Sequence, residues 1–165
     1  MFTVGVLTIS DRVSRGEAED RSGPLLARLA REVLGWDVVV QQVVPDEREQ
    51  IREVLRSWAD DLDVALVLTT GGTGFAPRDV TPEATRDVIE RETPGLVEAM
   101  RSASLQVTPH AMLSRAVAGI RGRTLIVNMP GSPKAVEEQF HVIAPALPHG
   151  IRLLRDVPQE HTRHE

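Results

Sequence analysis

Apolar residues follow two patterns that alternate along this chain. Segments rich in apolar and β-branched residues at 4–9, 36–44 and 64–69 predict strands. Between them, apolar residues recur every three or four positions over 25–33 and 51–58, which is typical of helices. The third run has no polar alternation, as expected for a strand covered by helices on both faces. We therefore predict repeated βα units around a largely parallel sheet.

Helix start and stop signals fit this division. Ser22 is predicted to cap the first helix and Gly35 to end it. Asp46, with Glu49 three residues later, is a candidate cap for the second helix. Two further helices are predicted to begin at Thr-Pro pairs 81–82 and 93–94.

The last third of the chain predicts two short strands between 116 and 127, joined at Gly122. A helix is predicted to start at Ser132-Pro133, and its apolar stripe continues to residue 154 with a bend at Pro145. The chain has 165 residues, which suits one hydrophobic core. We predict a single domain over 1–155 and a polar tail over 156–165.

Composition narrows the function classes. A net charge of -5 and 3% aromatic residues argue against nucleic acid as a partner. The longest apolar run, 64–68, is too short to cross a membrane, and no signal peptide pattern is present, so we expect a cytoplasmic protein without membrane contact. The absence of Cys excludes thiolate chemistry, and the five His residues have no metal-ligand spacing.

Small and polar residues follow the predicted strands. In an open α/β sheet the ligand binds outside the carboxyl ends of the strands, so these residues are expected to converge. They are Ser10, Asp11, Asp46, Thr70, Gly71, Gly72, Thr73, Gly74, Asn128, Met129, Pro130, Gly131 and Ser132.

The glycine-rich segment 71–74 has two interpretations. It would form a tight turn with positive φ, or it would bring backbone N–H groups close to an anion such as phosphate. It is not a G-x-G-x-x-G dinucleotide fingerprint, and the Gly131 turn lacks the G-K-[ST] of a P-loop. Lys134, the only Lys beside 18 Arg, is a weak candidate for a phosphate contact.

Three carboxylates near these loops would provide oxygen ligands for Mg²⁺ in a phosphoryl or nucleotidyl transfer. Asp46 also fits a helix cap and Asp11 a turn residue, whereas Asp79 has no predicted capping role. Their predicted convergence at one sheet edge favours a functional role.

These segments resemble the molybdopterin adenylyltransferases of molybdenum cofactor biosynthesis, the family that includes the G domain of gephyrin and the bacterial proteins MogA and MoaB. The most specific matches are T-T-G-G-T-G at 69–74 followed by R-D-V-T-P-E at 78–83, and N-M-P-G-S-P-K at 128–134. Shorter matches at 7–12, 22–24, 94–95, 104–105 and 113–115 extend the resemblance over nearly the whole chain.

The resemblance implies a three-layer α/β/α domain that forms homotrimers and acts with other proteins of cofactor biosynthesis. It implies that molybdopterin is bound and that Mg-ATP adenylylates its terminal phosphate, releasing pyrophosphate. By the same resemblance, Asp46 and Asp79 are the catalytic residues and the ligands of Mg²⁺. Ligand contacts are expected from the residues that follow the strands, from Lys134, and from Ser104 and Ser114.

Two alternatives belong to other classes of protein. One is a molybdopterin-binding carrier or scaffold without turnover. The other is the related domain of the molybdate-inserting enzyme, which shares a similar glycine loop but carries companion domains that are missing here. Two carboxylates suited to Mg²⁺ favour the adenylyltransferase, because binding alone does not require them.

Overall fold

The computed structural model describes residues 1–158, and its strands form one six-stranded sheet. The strands are β1 (Thr3–Ile9), β2 (Asp37–Val44), β3 (Leu66–Thr70), β4 (Arg91–Glu92), β5 (Ala118–Arg121) and β6 (Thr124–Met129). Their order across the sheet is β2-β1-β3-β6-β5-β4. The pairs β2–β1, β1–β3 and β3–β6 are parallel. The pairs β6–β5 and β5–β4, at one edge of the sheet, are antiparallel. The predicted, mostly parallel sheet is confirmed.

The described residues form seven α-helices, of which the last two follow the final strand: α1 (Asp11–Ser14), α2 (Ser22–Leu29), α3 (Arg48–Asp60), α4 (Thr81–Val88), α5 (Pro94–Leu105), α6 (Pro133–Ile143) and α7 (Leu147–Leu154). A π-helical turn, Ala30–Leu34, extends α2 and ends at Gly35, whose φ is 69°. Short 3₁₀ segments occupy Pro109–Leu113 and Ala144–Ala146. The second of them contains Pro145 and produces the predicted bend between α6 and α7.

Helices cover both faces of the sheet because alternate residues of the central strands point to opposite sides. On one side, Leu66 and Leu68 of β3 belong to a buried cluster with residues of α2, α5, α6 and α7. On the other side, Val67 belongs to a second buried cluster with residues of α3 and α4. The fold is therefore a three-layer α/β/α sandwich, as the resemblance implied.

Some predicted boundaries were wrong. The second strand begins at Asp37, because Trp36 turns into the core against Phe2 with ring centroids 5.2 Å apart. The third strand begins at Leu66, although the preceding residues 64 and 65 are also buried. Strand β4 was not predicted, since two exposed charged residues give no apolar pattern.

Three predicted helix caps were also wrong. The side chain of Ser22 caps nothing, and the carboxylate of Asp20 instead accepts the backbone N–H of Gly23 at 3.0 Å. Helix α3 begins at Arg48 with no side-chain cap, which leaves the Asp46 carboxylate for other partners. The Thr81 hydroxyl donates to the carbonyl of Gly71 at 2.9 Å rather than capping α4. The partners of Asp46 and Thr81 lie in other parts of the chain, which local spacing does not reveal.

The carboxyl end of the chain follows the prediction as far as it is described. Helix α7 ends at Leu154. Of the predicted tail, 156–165, residues 159–165 lie outside the described part of the chain. Within residues 1–158, no helix is both long and apolar enough to cross a membrane.

Candidate active site

A pocket of about 370 Å³ lies at the edge of the sheet where β1, β2, β3 and β6 end. Its walls come from five segments: the turn after β1, the segment before α2, Asp46 after β2, the glycine loop after β3 and the turn after β6. Predicted site residues among its lining are Ser10, Asp46, Thr70, Gly71, Gly72, Asp79 and Gly131. The structure thus brings together residues that are up to 121 positions apart in the chain.

Asp11 and Asp46 hold the ends of β1 and β2 together. The backbone N–H of Asp11 donates to Oδ2 of Asp46 at 2.9 Å, and the backbone N–H of Asp46 donates to Oδ1 of Asp11 at 3.0 Å. Ser10 begins the short helix α1, and its hydroxyl accepts the backbone N–H of Val13 at 3.2 Å. Each aspartate carboxylate is therefore held by the backbone N–H of the other aspartate.

The other oxygen of Asp46, Oδ1, is buried and has no hydrogen-bond partner. Burial raises the pKa of Asp46 above its usual value, and the nearby charges of Asp11 and Asp79 raise it further. The N–H from Asp11 offsets part of this shift. A buried acceptor without a donor costs free energy, so this oxygen is suited to a cation supplied from outside the chain.

Arg78 connects three of the loops that surround the pocket. Its guanidinium donates to both oxygens of Asp11, at 3.0 and 3.1 Å, and to Oε1 of Glu47 at 2.9 Å. This interaction is the main reason why the pKa of Asp11 lies below its usual range, with the backbone N–H of Asp46 contributing next. Both oxygens of Asp11 are thus paired with a cation, whereas Oδ1 of Asp46 has no hydrogen-bond partner.

Asp79 is half-buried, directly after the exposed part of the glycine loop (75–78), and lines the same pocket. Its Oδ2 accepts the backbone N–H of Ala76 at 3.0 Å, and its own N–H donates to the carbonyl of Ala76 at 2.9 Å. Asp79 therefore closes a tight turn, a local role that its position in the sequence did not reveal.

The glycine loop has the positive φ values that a tight turn requires. Gly71 and Gly72 have φ values of 100° and 71°, which only glycine adopts readily. A Cβ at Gly72 would lie 2.4 Å from Oγ1 of Thr81 and 3.0 Å from Oδ1 of Asp46. The backbone therefore passes directly over the unpartnered carboxylate oxygen, and a side chain at this position would fill the pocket wall.

The remaining predicted site residues do not all line this pocket. Thr73, Gly74, Ser104, Ser114 and Pro130 line a second pocket of about 250 Å³ on the other side of the glycine loop. Ser104 is buried there and its Oγ accepts Nε2 of Gln139 at 2.9 Å. Two pockets separated by one loop are suited to a ligand with two parts.

Asn128 and Met129 were expected to contact the ligand, but their side chains are fully buried in β6. The Asn128 amide accepts the backbone N–H of Val117 at 3.0 Å and donates to the hydroxyls of Thr69 and Thr85 at 3.1 and 2.9 Å. This side chain organises the sheet beneath the glycine loop instead of facing either pocket. The position of these residues near the end of a strand did not tell which face their side chains occupy, and they line neither pocket.

Two other predicted contacts lie at the rim. Ser132 caps α6 through its Oγ, which accepts the backbone N–H of Ala135 at 3.5 Å. Lys134 is exposed in the first turn of α6 and belongs to neither pocket lining. Both are available to solvent, and neither has a partner that ties it to the pocket floor.

Sequence reasoning missed one side chain of the first pocket that has defined partners. Asp20 accepts the Thr8 hydroxyl at 2.8 Å and the backbone N–H of Gly23 at 3.0 Å, which joins the end of β1 to the start of α2. A Cβ at Gly23 would lie 2.3 Å from the Thr8 hydroxyl oxygen, so this contact requires glycine. A carboxylate three residues before a buried glycine was the available signal.

The comparisons with known proteins agree with this architecture. The family described as "Probable molybdopterin binding domain" matches residues 5–149, and the chain belongs to this family. Gephyrin of Dictyostelium discoideum is 48% identical over 96% of this chain, which spans only 23% of that protein. A molybdopterin adenylyltransferase of Helicobacter pylori strain J99 is 43% identical over 92% of this chain and 86% of its own length.

A solved structure supports the same assignment. The molybdopterin biosynthesis enzyme MoaB of Thermus thermophilus is 50% identical to this chain and superimposes with a TM-score of 0.88. The match covers 97% of this chain and all of that one. The resemblance found in the sequence motifs is confirmed at the level of the family and the fold.

Proposed function

We propose that this protein is a molybdopterin adenylyltransferase of molybdenum cofactor biosynthesis. In this reaction an oxygen of the terminal phosphate of molybdopterin forms a bond to the α-phosphorus of ATP. The bond from the α-phosphorus to the oxygen that bridges to the β-phosphorus breaks, and pyrophosphate leaves. The names of the full-length relatives support this assignment, and the observation that carries it is the buried, unpartnered Oδ1 of Asp46 beneath the glycine loop.

The residues present fit a magnesium ion. Oδ1 of Asp46 is an oxygen without a donor, and the Asp79 carboxylate is close enough to raise the pKa of Asp46 through its charge. Residues 1–158 contain no group of three or more His, Asp and Glu side chains arranged as a complete metal site. Two carboxylates with phosphate oxygens and water completing the shell are typical of Mg²⁺. When bound, this ion would neutralise charge on the phosphates during transfer.

The chain itself contributes position and charge. The pair of hydrogen bonds between Asp11 and Asp46 fixes the two strand ends, so the Asp46 carboxylate does not move to follow its ligand. Arg78 pairs with Asp11 and Glu47 and so holds the loops around the pocket in place. Such transfers need little covalent work from the protein, so fixed geometry is the main source of rate.

The two pockets suggest a division of the ligands. The first, with the carboxylates and the glycine loop, would hold the phosphates and Mg²⁺. The second combines apolar side chains such as Leu113 and Pro130 with polar ones that include Ser104 and Ser114, which suits a heterocycle with polar edges. Asn128 and Met129 would act on the ligand only through the shape of the turn that follows them.

Assembly and location complete the proposal. A homotrimer is expected from the resemblance, and light scattering should give about three times the chain mass of 18.1 kDa. A monomer at micromolar concentration would contradict it. The location in the cytoplasm and the handover of product to other proteins of the pathway remain predictions from the sequence.

The deciding experiment is incubation of the purified protein with molybdopterin, ATP and Mg²⁺, followed by chromatography of the products. Adenylylated molybdopterin is the expected product, and chelation of Mg²⁺ should stop its formation. Molybdopterin that is bound but unchanged would favour the carrier alternative.

A further inference from the structure

Arg115 lies just after the 3₁₀ segment Pro109–Leu113 and holds the glycine loop from behind. Its backbone N–H donates to the carbonyl of Thr73 at 2.8 Å. Its Nε donates to the carbonyl of Gly74 at 2.7 Å, and its Nη2 donates to the carbonyl of Asp79 at 2.8 Å. One residue therefore joins both ends of the exposed part of the loop.

The loop depends on such contacts because residues 71–80 form no helix or strand. The hydrogen bonds between Ala76 and Asp79 shape the turn but do not fix it to the rest of the domain. Arg78 ties the outer side of the turn to Asp11 and Glu47, but it does not contact the carbonyl groups of the loop. Carbonyl groups that lack strand partners need donors from elsewhere. The Arg115 guanidinium supplies these donors in one rigid plane.

The guanidinium is itself anchored on helix α4. Its Nη1 donates to both carboxylate oxygens of Glu83, at 2.6 and 3.0 Å. The side chains of Arg115 and Glu83 are 36% and 33% exposed, so the pair is partly shielded from water. Lys would keep the charge but lacks the planar fork that reaches two carbonyls and a carboxylate at once.

Arg115 does not face the ligand. Its side chain lines a separate groove with Glu83 and Arg86, and it is absent from the linings of both pockets of the candidate site. We propose that Arg115 is a positioning residue, whose guanidinium fixes the Asp79 carboxylate opposite Asp46. This inference rests on the proposed function, because it assigns Asp79 a part in adenylyl transfer.

The test compares Arg115→Lys with Arg86→Lys, a matched control in the same groove whose guanidinium pairs with the exposed Glu92 and not with the loop. For Arg115→Lys we expect a loss in kcat of about 10-fold to 100-fold, with a smaller change in KM for ATP, since a misplaced catalytic group costs rate more than binding. The control should keep wild-type kcat and KM.

Amide hydrogen exchange in the ligand-free protein gives a readout that does not depend on activity. The amides of Ala76 and Asp79 should exchange about tenfold faster or more in Arg115→Lys, while core amides of β3 stay protected. Equal acceleration throughout the protein would indicate a general loss of stability and would overturn the positioning role. Wild-type kcat with wild-type loop protection would overturn it as well.

A second variant covers the case in which Arg115→Lys does not fold. Glu83→Gln leaves the guanidinium in place but removes its charged anchor on α4, so a smaller loss of kcat and of loop protection is expected. If both remain at wild-type values, the inference is wrong. If the wild-type protein transfers no adenylyl group, the proposed function fails, and loop exchange alone then decides whether Arg115 holds the loop.

Discussion

Replacing Asp46 by Asn should make the protein more stable at neutral pH while removing its activity. In the folded protein, Oδ1 of Asp46 is buried without a donor, and the pKa of this carboxyl is raised by burial and by the charges of Asp11 and Asp79. Asn keeps the shape and keeps an oxygen for the backbone N–H of Asp11, but carries no charge. A residue that weakens the fold and is required for turnover is a functional carboxylate.

The sign of the pH dependence follows from the raised pKa. Below about pH 3.9, the usual value for Asp, the carboxyl is protonated in both the folded and the unfolded chain, so Asp46 carries no charge penalty. As pH rises, the unfolded chain ionises first and the wild type loses stability until the pH passes the folded pKa. The advantage of Asp46→Asn should therefore be absent near pH 3 and complete at pH 7.

An unsatisfied buried acceptor costs about 1–3 kcal/mol, and the Asn amide nitrogen will lose part of this gain because it also needs a partner. We expect Asp46→Asn to raise the free energy of unfolding at pH 7 by about 1 kcal/mol. For a chain of this size, that corresponds to an increase in Tm of about 2–4 °C. Thermal denaturation followed by circular dichroism at pH 3, 5 and 7 measures it. A variant that is less stable than wild type at pH 7, or that retains turnover, would refute the reasoning.

Asp11→Asn is the matched control, because its carboxylate is adjacent and its pKa is shifted the other way. The ion pair with Arg78 lowers the pKa of Asp11, so its ionised form stabilises the fold above pH 3.9 and this stabilisation disappears as pH falls. Asp11→Asn should be less stable than wild type at pH 7 by less than about 1 kcal/mol, since the pair is partly exposed. The difference should vanish in acid.

Three other substitutions test separate parts of the account. Asp79→Asn should lower kcat about 100-fold, which corresponds to about 2.7 kcal/mol in the barrier, while the affinity for molybdopterin stays nearly unchanged. If binding and Tm fall together instead, the role of Asp79 is limited to closing the turn with Ala76. Gly72→Val should lose molybdopterin binding and about 1–3 kcal/mol of stability, because φ is 71° and the Cβ would clash with Thr81. Unchanged molybdopterin affinity in a fluorescence titration would contradict this prediction. Asn128→Ala should destabilise the folded protein by about 1–3 kcal/mol, because the Val117 N–H loses its acceptor. The folded variant should keep its affinity for molybdopterin, and a stable variant that does not bind molybdopterin would indicate that Asn128 contacts the ligand.

The fold was largely predictable because apolar spacing records which residues enter the core. The runs 4–9 and 64–69 correspond to β1 and β3, and the helical spacing of 51–58 lies within α3. Strand β4 was missed because it is two residues long and exposed, and is held only by pairing with β5. Strand order and the antiparallel edge were also beyond reach, since they depend on contacts between distant segments.

The candidate site was predictable in its location but not in its connections. Strand ends in a parallel sheet meet at one edge, which brought Asp46 and Asp79 together as expected. The pairing of Asp46 with Asp11 across 35 residues, and of Arg115 with the glycine loop across about 40, left no local signal. Asn128 was misassigned because spacing gives no information on whether a polar side chain points into the sheet or out of it.

The central claim is that this domain transfers an adenylyl group and does not only bind molybdopterin. The most direct measurement uses ATP labelled at the α-phosphorus, with wild type and Asp46→Asn compared at equal molybdopterin occupancy. The account predicts label in a molybdopterin product and one pyrophosphate released per label transferred for wild type, with turnover in the variant reduced at least about 100-fold. Bound molybdopterin without transfer of label in wild type, or equal transfer by both proteins, would contradict it.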